Sequence, residues 1–209
     1  MLYLVKTPWW LKKLYPSFTW TIKGEDKVLY LTFDDGPHET VTSFVLDELK
    51  KYNAKATFFC IGKNVAVNKE LYQRIIDEGH QTGNHTNHHL NGWKTNKKTY
   101  LEDIEKASEL IKSDLFRPPY GRITRSQARQ IMRTEGVPSR IIMWDVLSGD
   151  FDTSLHPDKC VKNVTDHARQ GSIIVFHDSE KAFERMSYAL PRVLEYFNGK
   201  GYRFESISQ

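Results

Sequence analysis

The sequence predicts an α/β protein, a compact and incomplete (β/α) barrel of seven or so parallel strands. Three observations predict it. Short apolar runs that read as buried strands alternate with amphipathic helices along the whole chain. Gly79, Gly136 and Gly171 each follow a helical stretch, where a left-handed cap is needed. Clusters of polar residues follow the strands rather than precede them. Helical crossovers between strands imply parallel pairing. About seven such units in 209 residues fit a small barrel, with an open doubly wound sheet as the alternative.

The elements follow in order. Lys27–Phe33 is the first strand and stops at Gly36-Pro37. Thr40–Tyr52 has near-helical apolar spacing, and Lys55–Cys60 is the second strand. Asn68–Glu78 is helical, Gln81–Asn84 a short third strand, and His85–Lys98 a long loop. Thr99–Lys112 is helical, then Leu115–Arg117 is a strand stopped by Pro118-Pro119. Thr124–Glu135 is a helix and Arg140–Trp144 a strand. Pro157–Gln170 is a helix whose proline suits the first turn. Ser172–Phe176 is a strand, Pro191–Asn198 a helix with Ser187–Leu190 as its first turn, and Tyr202–Ile207 the last strand. No linker or repeat divides them, so residues 27–209 read as one domain and residues 1–26 as an extension packed on it.

Composition narrows the function. The net charge is +4, with lysines and arginines scattered rather than blocked, which argues against nucleic-acid binding. Cys60 and Cys160 lie far apart with no zinc-type spacing, and Cys60 ends an apolar run as a core thiol would. No apolar run approaches the roughly 18 residues needed to span a bilayer. Met1–Lys6 lacks the ordered regions of a signal peptide, so the cytoplasm is the default compartment and the cell envelope the alternative. Trp9–Trp20 is rich in aromatics and lysine. Pro16 and the missing helical period favour packing against the barrel floor over a membrane-surface role for residues 1–20. A monomer is expected.

The polar clusters carry the chemistry. They are Asp34-Asp35, Asn84–His89, Arg117–Gly121, Asp145–Asp152 and His177-Asp178. Parallel α/β folds gather the C-terminal strand ends on one face, where sites are built. Neighbouring strand residues point to opposite sides, so Asp34 and Asp35 can serve different ends. His85 and His89 are spaced i, i+4, which one helical turn brings together. With Asp35 they make a set of two histidines and one carboxylate, suited to catalytic Zn²⁺ or to non-haem Fe²⁺. Zinc lowers the pKa of a water to about 7. Asp34 is then free to take a proton, and His177, at another strand end, to protonate a leaving amine. His88 points elsewhere on such a turn and is left out.

Thr-Phe-Asp-Asp-Gly-Pro at 32–37, His-Thr-x-x-His at 85–89, Arg-x-Pro-Tyr-Gly at 117–121 and the final apolar-x-His at 175–177, in this order, resemble the polysaccharide deacetylase family, carbohydrate esterase family four. The resemblance runs from Val28 to the C-terminus. It implies a distorted (β/α) barrel and metal-assisted removal of an N-acyl group, usually acetate from an N-acetylhexosamine. It implies one divalent metal, Zn²⁺ first, with Co²⁺ or Ni²⁺ as substitutes, and a carbohydrate substrate. By resemblance Asp34 is the base, Asp35, His85 and His89 hold the metal, and His177 is the acid. Arg117 orients the base, and the Tyr120 N–H supports the oxyanion. Trp144, Val175 and Phe176 line the acyl pocket.

The fourth motif departs from the family pattern. Trp144-Asp-Val-Leu-Ser-Gly-Asp-Phe151 carries Leu147 where the acidic partner of the arginine is expected. A buried unpaired arginine is costly. Asp150 or Asp145 therefore pairs with Arg117, or Arg117 lies in solvent. Asp150 is also counted among the substrate-binding residues, and Trp93 and Trp144 as sugar-stacking aromatics. The rivals are an iron oxygenase, a non-catalytic carbohydrate-binding relative, and a deformylase or cyclic-amide hydrolase of the same family.

Overall fold

The computed structural model describes residues 3–24 and 26–208, so the outer ends of the expected extension and domain lie outside the described residues. Trp9–Leu14 (α1) precedes the first strand, Val28–Asp34 (β1), which leads to Glu39–Lys51 (α2) and Ala56–Cys60 (β2). Gly62–Val67 (α3) and Lys69–Asp77 (α4) precede Gln81–Asn84 (β3). Lys97–Ser108 (α5), Leu115–Phe116 (β4), a 3₁₀ turn at Pro119–Gly121 and Arg125–Ile131 (α6) follow. Then come Arg140–Ile141 (β5), Val146–Leu147 (β6), Pro157–His167 (α7), Ile173–His177 (β7), Phe183–Asn198 (α8) and Arg203–Phe204 (β8).

The sheet runs β5-β4-β3-β2-β1-β7-β6, with β8 added beside the start of β1. Every one of these pairings is parallel. The sheet curls into an incomplete barrel with β5 and β6 as its edges. The N-terminal segment lies in the seam between them: Lys6 bridges Val146, Thr19 bridges Ile142 and Thr21 bridges Ser172. The Thr7 N–H donates to the Asp145 carbonyl, and Phe18 and Trp20 are buried. The segment thus runs along the side of the barrel and is not confined to its floor.

The outer face of β1, β2 and β7 packs on α2, α7 and α8. Phe33 stacks with Phe58 and Phe176, and Leu46, Val164, Met186 and Leu190 join the same core. Burial of each such large side chain contributes roughly 1.5–3 kcal/mol. The inner face carries Thr32 and Asp34 on β1, with Val175 and His177 beside them in register on β7.

Three expectations shift. Arg140–Trp144 is not one strand: β5 ends at Ile141, and the unanticipated β6 forms at Val146–Leu147 once Lys6 pairs beside it. The α3 turn, Gly62–Val67, is too short for an apolar period to mark it in the sequence. Helix α8 begins at Phe183 and runs through Pro191. Its buried stripe of Met186, Ala189, Leu190, Val193, Leu194 and Phe197 spans the proline, so packing outweighs the missing N–H.

Candidate active site

Asp34 ends β1, opposite Phe59 of β2 and His177 of β7. The backbone then turns at Asp35 with φ 86°, a conformation rare for a residue with a Cβ. Among the described residues six non-glycine residues have positive φ, and four of them, Asp35, Thr86, His89 and Tyr120, belong to this rim. Strain concentrated in this way marks a place where geometry is held for use. The turn is fixed by Asp178, which is buried and accepts from the Gly36 N–H and the Thr42 hydroxyl. A Cβ at Gly36 would stand 1.9 Å from an Asp178 oxygen, so only glycine fits. Burial lifts the Asp178 carboxyl to about 7.

Asp35, His85 and His89 come together, with their ligand atoms all within 4.8 Å of one another. They do so without a helical turn: the chain from His85 to His89 is irregular, and the positive φ at Thr86 and His89 turns both rings inward. Asp35 Oδ1 lies 3.2 Å from His89 Nε2 and 3.8 Å from His85 Nε2. Ligands bound to tetrahedral zinc at about 2.0–2.1 Å stand about 3.3 Å apart. Asp35 Oδ1 is buried with no hydrogen-bond partner among the described residues, as an atom awaiting a cation would be. The Arg117 carbonyl sits 2.7 Å from His85 Nδ1. A carbonyl only accepts, so Nδ1 carries the proton and Nε2 keeps its lone pair for a metal. Burial pushes His85 down to about 4, which keeps it neutral. For Asp35, burial alone would raise the carboxyl; the close approach of His89 and the fields of His177 and His85 outweigh it and hold it low. The residues fit a divalent cation.

Arg117 is fully buried and resolves the question left by Leu147. Neither Asp150, Asp145 nor solvent is its partner. It donates 2.7 Å bonds to Asp34 Oδ1 and Thr32 Oγ1, and further bonds to the Ile142 and Met143 carbonyls. Its guanidinium also lies 4.1 Å from the centre of the Phe59 ring. Backbone carbonyls and an aromatic face thus replace the missing carboxylate.

Asp145 is held instead by Lys6 and Lys12 of the N-terminal segment and by Ser172. Asp150 is fully buried and cannot reach a substrate. One of its oxygens accepts from the His177 N–H at 2.7 Å, and the other sits 2.8 Å from His177 Nδ1. Burial opposes the charged imidazole, but Asp150, with smaller help from Asp35 and Asp34, lifts His177 to about 9.

The pocket residues divide. Val175 lies on the inner face beside Thr32 and is almost wholly buried. Phe176 is registered with Phe33, stacks on it, and faces the helices, so it does not line the site. Alternation along β7 forces this: Val175 and His177 share one face and Phe176 takes the other. Trp144 is half-buried, its ring 6.0 Å from the Arg117 guanidinium. Tyr120 is exposed, with its ring 4.6 Å from His89. His88 turns away to Asp103, which also accepts from the Asn87 and His88 backbone N–H groups and so pins the histidine loop. Asp103 gave no signal in the sequence, and Asp178 only its place in the His177-Asp178 cluster, because their partners lie across the fold.

Comparison with known proteins agrees with this fold. The sequence pattern of the family described as polysaccharide deacetylase matches residues 21–138. A peptidoglycan-N-acetylglucosamine deacetylase of Bacillus cereus is 32% identical over 205 residues, 95% of each chain. The peptidoglycan-N-acetylmuramic acid deacetylase PdaC of Bacillus subtilis is 31% identical over 90% of this chain and 40% of its own. The crystal structure of the peptidoglycan N-acetylglucosamine deacetylase Bc1960, in complex with a hydroxamate-type benzamide, superposes with a TM-score of 0.85 at 30% identity, covering 96% of this chain and 95% of that one. With matching fold, motifs and length of agreement, the chain belongs to the polysaccharide deacetylase family.

Proposed function

We propose that this protein is a metal-dependent hydrolase that removes the N-acetyl group from an N-acetylated amino sugar in a cell-wall type glycan. The observation that carries the reading is the convergence of Asp35, His85 and His89 beside the Arg117–Asp34 pair and the Asp150–His177 pair. The relatives named as peptidoglycan deacetylases support the same substrate class.

Asp35, His85 and His89 would hold the cation, Zn²⁺ being the first choice for this donor set. A divalent cation there supplies Lewis-acid polarisation and a water acidified to neutral pH. Asp34 accepts the proton of the attacking water through the oxygen that Arg117 leaves free. The Tyr120 N–H, presented at the rim by φ 60°, donates to the oxygen that gains charge. His177 delivers a proton from Nε2 to the departing amine, since Asp150 engages its Nδ1. Val175 and Trp144 bound the space for the acyl methyl. Residues 27–209 hold every group in this scheme, and the segment before them buttresses the Trp144–Leu147 stretch.

Among the described residues no helix is long and apolar enough to cross a membrane. The test is acetate release from N-acetylglucosamine oligomers and peptide-free glycan strands by zinc-loaded protein. Release that stops on chelation and returns with zinc is expected. No release from any such glycan by protein that binds the metal would sink the reading.

A further inference from the structure

Trp93 and Arg122 form a second constellation beside the catalytic rim. Trp93 is 61% exposed, yet it is not loose. Its indole N–H donates to the Ile123 carbonyl at 3.1 Å, and its backbone N–H to Asn91 Oδ1 at 3.0 Å. The buried Gln127 amide donates to the Gly92 and Thr95 carbonyls, strapping the loop to the segment after Tyr120. Gly92 lies so close to that segment that a Cβ would stand 2.5 Å from the Arg122 carbonyl. The loop therefore holds a large apolar ring out into water, at a cost of roughly 25 cal/mol per Å² of surface left wet.

The Arg122 guanidinium sits 5.2 Å from the centre of that ring. Among the described residues no carboxylate pairs with it. Residues 90–98 and 120–126 contain Lys94, Lys97, Lys98, Arg122 and Arg125 and no acidic residue. Arg122 is two residues from Tyr120, whose ring touches that of His89, and two residues of chain span at most about 7 Å. The backbone that carries the pair therefore adjoins the metal-ligand rim.

We propose that Trp93 and Arg122 form a subsite for a sugar bearing a carboxylate, next to the sugar that is deacylated. Trp93 stacks on the apolar face of the pyranose ring, and Arg122 takes the carboxylate in a bidentate fork. This rests on the deacetylase reading for its place on the strand, but binding can be measured without turnover. Two sources supply this chemistry, a lactyl ether and a uronic acid.

Calorimetry would compare three probes: a soluble strand of N-acetylglucosamine alternating with its 3-O-lactyl derivative, the same strand with the lactyl carboxyl reduced to an alcohol, and an N-acetylglucosamine oligomer carrying glucuronate. The expected result is about tenfold tighter binding of one acid strand than of the reduced strand. The preferred acid names the source. Arg122→Gln should bring that ratio to about one, Arg122→Lys should restore part of it, and Trp93→Ala should weaken all three probes. Equal binding of acid and neutral strands by the wild type, or an unchanged ratio in Arg122→Gln, would overturn the subsite. Acetate release is read in parallel: a retained binding preference without release defeats the deacetylase reading and leaves the subsite standing.

Discussion

Arg117 acts in two directions at once. Its guanidinium fixes Asp34, while its carbonyl fixes the tautomer of His85, so one residue links the proposed base to the proposed metal centre. Its place in Arg-x-Pro-Tyr-Gly and its bond to Asp34 were legible through the resemblance; its other partners were not, because Ile142, Met143 and Thr32 offer backbone and hydroxyl groups that no spacing rule marks. Asp150 was legible as a polar residue after a strand, but its place on His177 was not, since its bonds to His177 arise only when β7 lies beside β6. Asp150 is the group that raises His177 most, so His177 keeps its proton through neutral pH and loses it as pH rises through about 9. Asp150→Asn should move the alkaline limb of the pH–rate profile to lower pH by at least one unit. An unmoved limb would show that His177 does not control it.

At the scale of elements, the turn after β1 and the strap along the seam are the parts most exposed to mutation. Gly36→Ala would drive a methyl into Asp178, so the turn carrying Asp35 must shift. Zinc affinity, read by competition with a chelator, should fall by at least tenfold, against no change if the turn is merely a connector. The strap depends on Asp145, whose side chain is nearly buried while those of Lys6 and Lys12 remain partly wet. Lys6→Met with Lys12→Met leaves that carboxylate with Ser172 alone. Discounted for the wet lysines, the loss should be about 2 kcal/mol in denaturant unfolding. Asp145→Asn in the same background should recover part of it. The long helices and strands were readable because their apolar periods are local. The two-residue β6 was not, because it exists through Lys6 on one side and Ile174 and Val175 on the other.

For the molecule as a whole, buried histidines set the pH range of stability. His80 is buried against Phe58, and its Nδ1 accepts from the Ala56 N–H. Burial, with Lys55 nearby, pulls it down to about 4. The unfolded chain binds that proton more readily, so stability is lost as pH falls through 6.5 toward 4. His177 has the opposite sign: raised to about 9, it contributes fully below its ordinary value of about 6.5 and its contribution fades as pH rises through 9. Urea unfolding of the metal-free protein should therefore show greatest stability near pH 6.5 to 7, and His80→Gln should flatten the acid limb. A stability that climbs steadily from pH 5 to 9 would contradict the His177 assignment, and an acid limb unchanged in His80→Gln would contradict that of His80.

The division of labour between the two neighbouring aspartates is the centre of this account, and one paired measurement reaches it. Bound zinc and the rate of acetate release from an N-acetylglucosamine oligomer would be determined on the same samples of wild-type and Asp34→Asn protein. The account predicts equal zinc in both and a loss of at least about 100-fold in rate for the variant. Asp34→Asn protein that carries its zinc and turns over at the wild-type rate would contradict it.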